Sequence, residues 1–166
     1  MTWRWDVLLW LLVTYFPATL IHELGHAVVG ALMGGQGATV TYGHPRERFK
    51  TSIRIASVTI QINFGLSLWF HAPWTSFRTA PDWSPLKRLL PVLGGPLASA
   101  FLFIAFWPDR ARDVVWWLPR AQFWQDWVRW WGLWGSLWPL IPLRYPSGRP
   151  SDGLQIVRLI GSPRRR

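Results

Sequence analysis

The sequence predicts a mainly α membrane protein: about three transmembrane helices, a small β-hairpin or sheet between the first two, and a short C-terminal helix. Three observations lead there. Half of the 166 residues are hydrophobic, 15 are Trp and only 16% are charged, a balance rarely met in a soluble domain. Two stretches, 7–33 and 89–107, are almost free of charge, and at about 1.5 Å per residue each is close to or beyond what the ~30 Å hydrocarbon core of a bilayer requires. Between them, in 38–64, the apolar residues change to a period of two, which is a strand pattern.

The first span, 7–33, has Trp3, Trp5 and Trp10 near its start, where an interfacial aromatic belt is expected. Arg4 ahead of an apolar run resembles a signal peptide, but the run continues into ionisable residues without a small-residue cleavage pattern, so it reads as retained. Pro17 removes one backbone donor and predicts a kink just before His22. Gly34, Gly35 and Gly37 then end the helix.

In the β-prone part, Ile53 and Ile55 alternate with Ser52 and Arg54, and Val58, Ile60, Ile62 and Phe64 with Thr59, Gln61 and Asn63. The phase slips at Ala56 and Ser57, which predicts a bulge or tight turn, and 38–42 is a further β-prone stretch. Residues 73–85, with Pro73, Pro81 and Pro85, read as loop.

The second span, 89–107, holds Gly94, Gly95, Ala98 and Ser99, small residues that let helices approach closely in lipid. The third, 123–143, is long enough to cross but carries Asp126 and Arg129, which must then lie near the interface or pair as neighbours on one face. An irregular Pro-rich stretch follows, and 154–160 forms a short helix capped by Ser151 or Asp152. The whole chain, 1–166, reads as one domain. Lys and Arg are concentrated between the first two spans and in the C-terminal tail, which places the N-terminus outside and the C-terminus in the cytoplasm of a cell-membrane protein.

The formal net charge of +10 does not imply nucleic acid, because the basic residues lie between apolar blocks instead of forming a face over an ordinary core. The expected partner is the lipid bilayer. Cysteine is absent, which excludes disulfides, thiolate metal sites and a cysteine nucleophile.

His22-Glu23-Leu24-Gly25-His26 is an H-E-x-x-H pattern. On a helix, two histidines four residues apart share a face and can bind one Zn²⁺, while the glutamate stands beside the water that the metal activates. Zinc lowers the pKa of that water to about 7, and the carboxylate takes its proton and passes it to a leaving amine. A spanning segment is a costly place for three ionisable groups unless they are paired, metal-bound or wet, so their position is itself a functional signal.

Catalytic zinc needs a third protein ligand, and the candidates are Asp6, Asp82, Asp109, Asp113, Asp126, Asp152, Glu47, His44 and His71. His22 lies roughly 23 Å into the first span, which sets the metal in the cytoplasmic half and Asp6, Asp109 and Asp113 on the wrong side. Asp152, in an irregular segment that can fold back into the protein, leads the remainder, ahead of His44 and His71.

These residues, with Gly94-Gly95-Pro96-Leu97-Ala98-Ser99 in the second span and Leu140-Ile141-Pro142 followed by Ser151-Asp152-Gly153, resemble the site-2 protease family of intramembrane metalloproteases over essentially the whole chain, as its minimal three-helix core. The resemblance implies zinc ligation by His22, His26 and Asp152, a catalytic Glu23 and a site facing the cytosol. The chain departs from that family in having Ser99 and Pro139 where Asn is common, and in a longer spacing before Asp-Gly. Only about 15 residues separate the second and third spans, too few for a PDZ-like insertion.

The expected function is therefore zinc-dependent cleavage of transmembrane or membrane-associated protein substrates. The alternative is a catalytically inactive zinc-binding membrane protein that serves as a scaffold, and a further one is a metal-free structural membrane protein. Intact Glu23 favours the enzyme, since a scaffold has no use for a general base. A transmembrane substrate must be held extended to expose its peptide bonds, and residues 53–64 are expected either to offer it a strand edge or to serve as an interfacial anchor.

Overall fold

The apolar N-terminal run forms one helix, α1 (Trp5–Leu32), in the computed structural model of the chain, which describes residues 5–65, 68, 72–80, 82–107 and 124–161. The helix passes through Pro17 without a break in its assignment. It ends in a left-handed turn at Gly34, whose φ is +91°. There the Gly35 N–H donates to the Gly30 carbonyl at 2.8 Å and closes off the last turn.

Four strands follow: β1 (Gln36–Tyr42), β2 (Phe49–Ile55), β3 (Val58–Phe64) and β4 (Trp74–Arg78). They make one mixed sheet in the order β2-β3-β1-β4. β1 pairs in parallel with β3, Val40 opposite Ile60, and antiparallel with β4. β2 and β3 form a hairpin closed at Ala56 and Ser57, with Ala56 at φ 51°. The expected phase slip is thus a tight turn. β4 lies in the segment expected to be loop; its prolines flank the strand at 73 and 81 and leave its own donors intact.

α2 (Pro85–Ala105) starts at an N-cap, where the Ser84 side chain accepts from the Lys87 N–H and Pro85 occupies the first turn. α3 (Trp124–Leu137) is followed by a single 3-10 turn (Trp138–Leu140) and then α4 (Asp152–Gly161).

The expectation of a mainly α protein with three transmembrane helices is overturned. The chain has four helices and a four-stranded mixed sheet among the described residues, and two of those helices, α1 and α2, are long and apolar enough to cross a membrane. Of the expected third span, 123–143, the described residues hold a helix of 14 residues, about 21 Å long, followed by the 3-10 turn. Its Asp126 and Arg129 are buried, so the helix spends its length on a packed, partly polar face. The two candidate spans among the described residues lend no support to the expected placement of the two termini on opposite sides.

α1 lies between two layers. On one side Ala27 packs with Ala38, Val40, Tyr42 and Val58 of the sheet. On the other, Ala18 meets Leu102 of α2 and Val128 of α3. Even so, only 17% of the most apolar stretch of α1 and 33% of that of α2 is buried within the protein, and Leu9, Val13, Leu97, Phe101 and Ile104 are among the exposed apolar side chains. A core helix of a soluble protein would have such a surface covered; among the described residues it is left open, and by length and composition it suits a bilayer.

α1 and α2 touch backbone to backbone. A Cβ built on Gly25 overlaps the Gly94 carbonyl, and one on Gly94 overlaps the Gly25 carbonyl. Gly25→Ala is therefore expected to force the helices apart and lower stability by about 1–3 kcal/mol. Denaturant unfolding in detergent checks this, and an unchanged midpoint would contradict the close crossing.

Candidate metal centre

One turn of α1 puts His22 and His26 side by side, their rings edge to face at a centroid distance of 4.9 Å. α2 orients both. The His26 Nδ1 lies 2.8 Å from the Pro91 carbonyl oxygen, which can only accept, so the proton sits on Nδ1 and Nε2 presents a lone pair. The Gly95 N–H approaches the same nitrogen at 3.2 Å, a longer contact that this tautomer does not use. The His22 Nδ1 meets the Ser99 hydroxyl at 2.9 Å, and Ser99 is 1% exposed. Metal-binding histidines are commonly fixed through their second nitrogen in this way. A Cβ on Gly95 would fall on both Nε2 atoms, so only glycine leaves that space open.

Asp152 arrives from the far end of the chain. The Ser151 hydroxyl donates to the Ile141 carbonyl at 2.7 Å and accepts from the Leu143 N–H at 3.1 Å and the Leu154 N–H at 3.2 Å. It thus caps α4 and ties that helix to the 141–143 segment. The neighbouring Asp152 opens the first turn of α4. Its Oδ2 lies 3.4 Å from the Nε2 atoms of both His22 and His26, and those two nitrogens are 3.2 Å apart.

This triangle fits a metal ion. Oδ2 is buried without a hydrogen-bond partner, which is costly for a carboxylate oxygen. The three separations match one face of a coordination tetrahedron whose bonds are about 2.0–2.1 Å and whose edges are about 3.3 Å. His22, Glu23 and His26 can also bring one donor atom each within 4.8 Å of one another, so the motif itself could hold an ion.

Glu23 is buried and held from the sheet side. The Thr75 hydroxyl of β4 lies 2.7 Å from its Oε2 and 2.9 Å from its backbone oxygen, and its single proton can serve either. With one carboxylate oxygen engaged by Thr75, the other remains for exchange of a proton. These groups line a cleft of about 460 Å³, whose walls include Tyr15, Trp131, Trp134 and Trp138. The cleft is bordered as well by Trp74, Tyr145 and Arg149. Burial, followed by the nearby Asp152 and Glu23, pushes the Tyr145 phenol up to about 12, so it stays a neutral donor.

Of the other candidate ligands, His44, Glu47, Asp82 and Asp126 do not line the cleft. The His44 Nδ1 accepts from the Arg46 backbone N–H at 3.2 Å instead. His71, Asp109, Asp113 and the side chain of Asp6 lie outside the described residues. Sequence reasoning missed Thr75, because the prolines around it were read as loop markers, although Trp74, Thr75 and Phe77 are β-prone types. It also missed the role of Ser99 as the partner of His22, and the sequence carries no signal for the Pro91 carbonyl. No protein-family model matches the chain, and no curated protein matches it.

Metal analysis of the purified chain separates the two carboxylates. Asp152→Asn, His22→Ala and His26→Ala are expected to lose metal on dialysis while Glu23→Gln keeps it, and Ser99→Ala is expected to weaken affinity by roughly 10- to 100-fold. Loss in Glu23→Gln with retention in Asp152→Asn would make Glu23 the ligand.

Proposed function

We propose that the chain is a zinc-dependent intramembrane endopeptidase, similar in its active residues to the site-2 proteases, which cleaves transmembrane or membrane-associated protein substrates. The observation that carries this reading is the convergence of the His22 and His26 Nε2 atoms on the unpartnered Asp152 Oδ2, with the Glu23 carboxylate beside them. Two imidazoles and one carboxylate leave a position open for reaction, and this donor set with these separations suits zinc.

When bound by His22, His26 and Asp152, zinc supplies the electrophile that polarises a peptide carbonyl and acidifies water. Glu23 acts as general base and then as general acid: it accepts a proton from the attacking water and gives it to the amine nitrogen as the C–N bond breaks. Thr75 keeps the carboxylate facing the cleft through that cycle. Ser99 and the Pro91 carbonyl hold the imidazoles in the tautomer that leaves each Nε2 lone pair free.

The aromatic walls suit apolar residues of a membrane segment, and exclusion of bulk water strengthens every charge interaction inside. A substrate strand cannot add to 58–62, since β3 is paired on both sides. β4 is the edge strand that borders the cleft, so an extended substrate would lie along it. The cations between α1 and α2 (Arg46, Arg48, Lys50, Arg54 and Arg78), with Lys87 and Arg88 in the first turn of α2, favour the cytoplasmic side for the sheet.

Cleavage of a reconstituted single-span reporter tests the reading. Glu23→Gln is expected to abolish turnover while retaining zinc. Thr75→Val is expected to lower kcat by roughly 10- to 100-fold with KM little changed, and Thr75→Ser to restore it, since only the hydroxyl is needed. Wild-type rates in Glu23→Gln would refute the mechanism.

A further inference from the structure

The cleft is lined by one Lys or Arg side chain among the described residues, Arg149, and the proposed chemistry makes no use of it. Arg149 belongs to a short hairpin-like loop, closed by the Tyr145 N–H donating to the Arg149 carbonyl at 2.9 Å and the Gly148 N–H to the Tyr145 carbonyl at 2.8 Å. A bridge between Arg144 and Pro150 sets its base. The loop therefore presents Arg149 from a defined backbone, two residues before the Ser151 cap and three before Asp152.

Its guanidinium carbon lies 3.4 Å from the centre of the Trp74 ring, a separation that puts the cation in contact with the ring face. Such stacking occupies the flat face of the guanidinium and leaves the N–H donors, which lie in its plane, directed outward. Among the described residues no carboxylate forms an ion pair with it; Glu23 is near enough to act on its charge but is engaged by Thr75, and Asp152 faces the imidazoles. A partly buried, preorganised cation on an aromatic platform, beside the edge strand and with no hydrogen bond from its side-chain donors among the described residues, matches a planar anion that accepts two hydrogen bonds at once. In a peptide groove that anion is a carboxylate.

We propose that the stacked Arg149–Trp74 pair is a carboxylate-recognition subsite of the cleft, selecting peptides that carry an acidic side chain or a terminal carboxylate close to the bond held at the metal centre. This rests on the reading of the cleft as a peptide groove. It adds a polar requirement to walls that otherwise accept any apolar segment, because the positive charge of Arg149 is stabilised by a carboxylate and left undersatisfied by a neutral residue.

The test uses the zinc-loaded full chain in detergent and dye-labelled alanine–leucine peptides, capped at both ends, with a single Asp, Asn or Lys stepped along the sequence. A second set has no charged side chain and ends in either a free carboxylate or an amide. Fluorescence anisotropy reports binding, and cleavage is followed separately. Wild type is expected to bind the best-placed Asp peptide, or the free-carboxylate peptide, roughly tenfold more tightly than its neutral counterpart; which set discriminates identifies the source of the carboxylate. Arg149→Gln should erase the difference, Arg149→Lys should keep only part of it, and Arg149→Glu should shift the preference to Lys peptides. Equal binding of charged and neutral peptides by wild type, discrimination that survives Arg149→Gln, or no saturable binding of either set would overturn the subsite. Discrimination that depends on Arg149 without any cleavage would overturn the protease reading and leave the subsite standing.

Discussion

Contact between the α1 and α2 backbones at Gly25 and Gly94 is the constraint on which the rest of the site depends. Helices with ordinary side chains between them lie about 8–10 Å apart. At that distance an imidazole on one helix has difficulty reaching a main-chain carbonyl of the other. Here the Pro91 carbonyl and the Ser99 hydroxyl sit directly against the His26 and His22 Nδ1 atoms. With both Nδ1 positions occupied, the two Nε2 atoms have a single direction left, toward each other and toward the space that Gly95 leaves open. The same approach extends to α3, where Gly132 lies against the backbone at Ser99 and Phe103, and Gly135 against the Ser99 side chain.

Three separate parts of the chain then close on that point, each by its own local device. The sheet contributes Thr75 from an edge strand, and so fixes the carboxylate of Glu23 from the side opposite α2. The C-terminal segment contributes Asp152 through the Ser151 cap, which spends one hydroxyl on α4 and on the 141–143 segment together. The loop before it contributes Arg149 against Trp74. The charged groups of the site thereby share a cleft whose remaining walls are largely aromatic or apolar, which is how ionisable groups persist next to helices with exposed apolar flanks.

α3 explains why composition misled. Its segment is apolar by count, being rich in Trp, yet its buried face carries Asp126 and Arg129. Tryptophan adds to an apolar total while its indole N–H still seeks a polar partner. A segment of that kind packs against α1 and α2 through Val128 and Trp131, and its described part is not among the helices long and apolar enough to cross a bilayer.

The residues by themselves determined what depends on short-range pattern. The H-E-x-x-H spacing places two imidazoles on one helical face whatever surrounds them. The alternation about Ala56 and Ser57 defines a hairpin because side chains along a strand alternate by geometry. The cap of α4 is legible for the same reason, to within the choice between Ser151 and Asp152. Only the tertiary structure decided how many helices are long enough to span, that β3 is interior and β4 an edge, and that Thr75, Ser99 and the Pro91 carbonyl fix the three groups of the motif. The last of these rests on contacts between residues 52 to 77 positions apart in the chain. The two made by α2 are set by how closely two glycines let two helices meet, a distance that no local spacing in the sequence encodes.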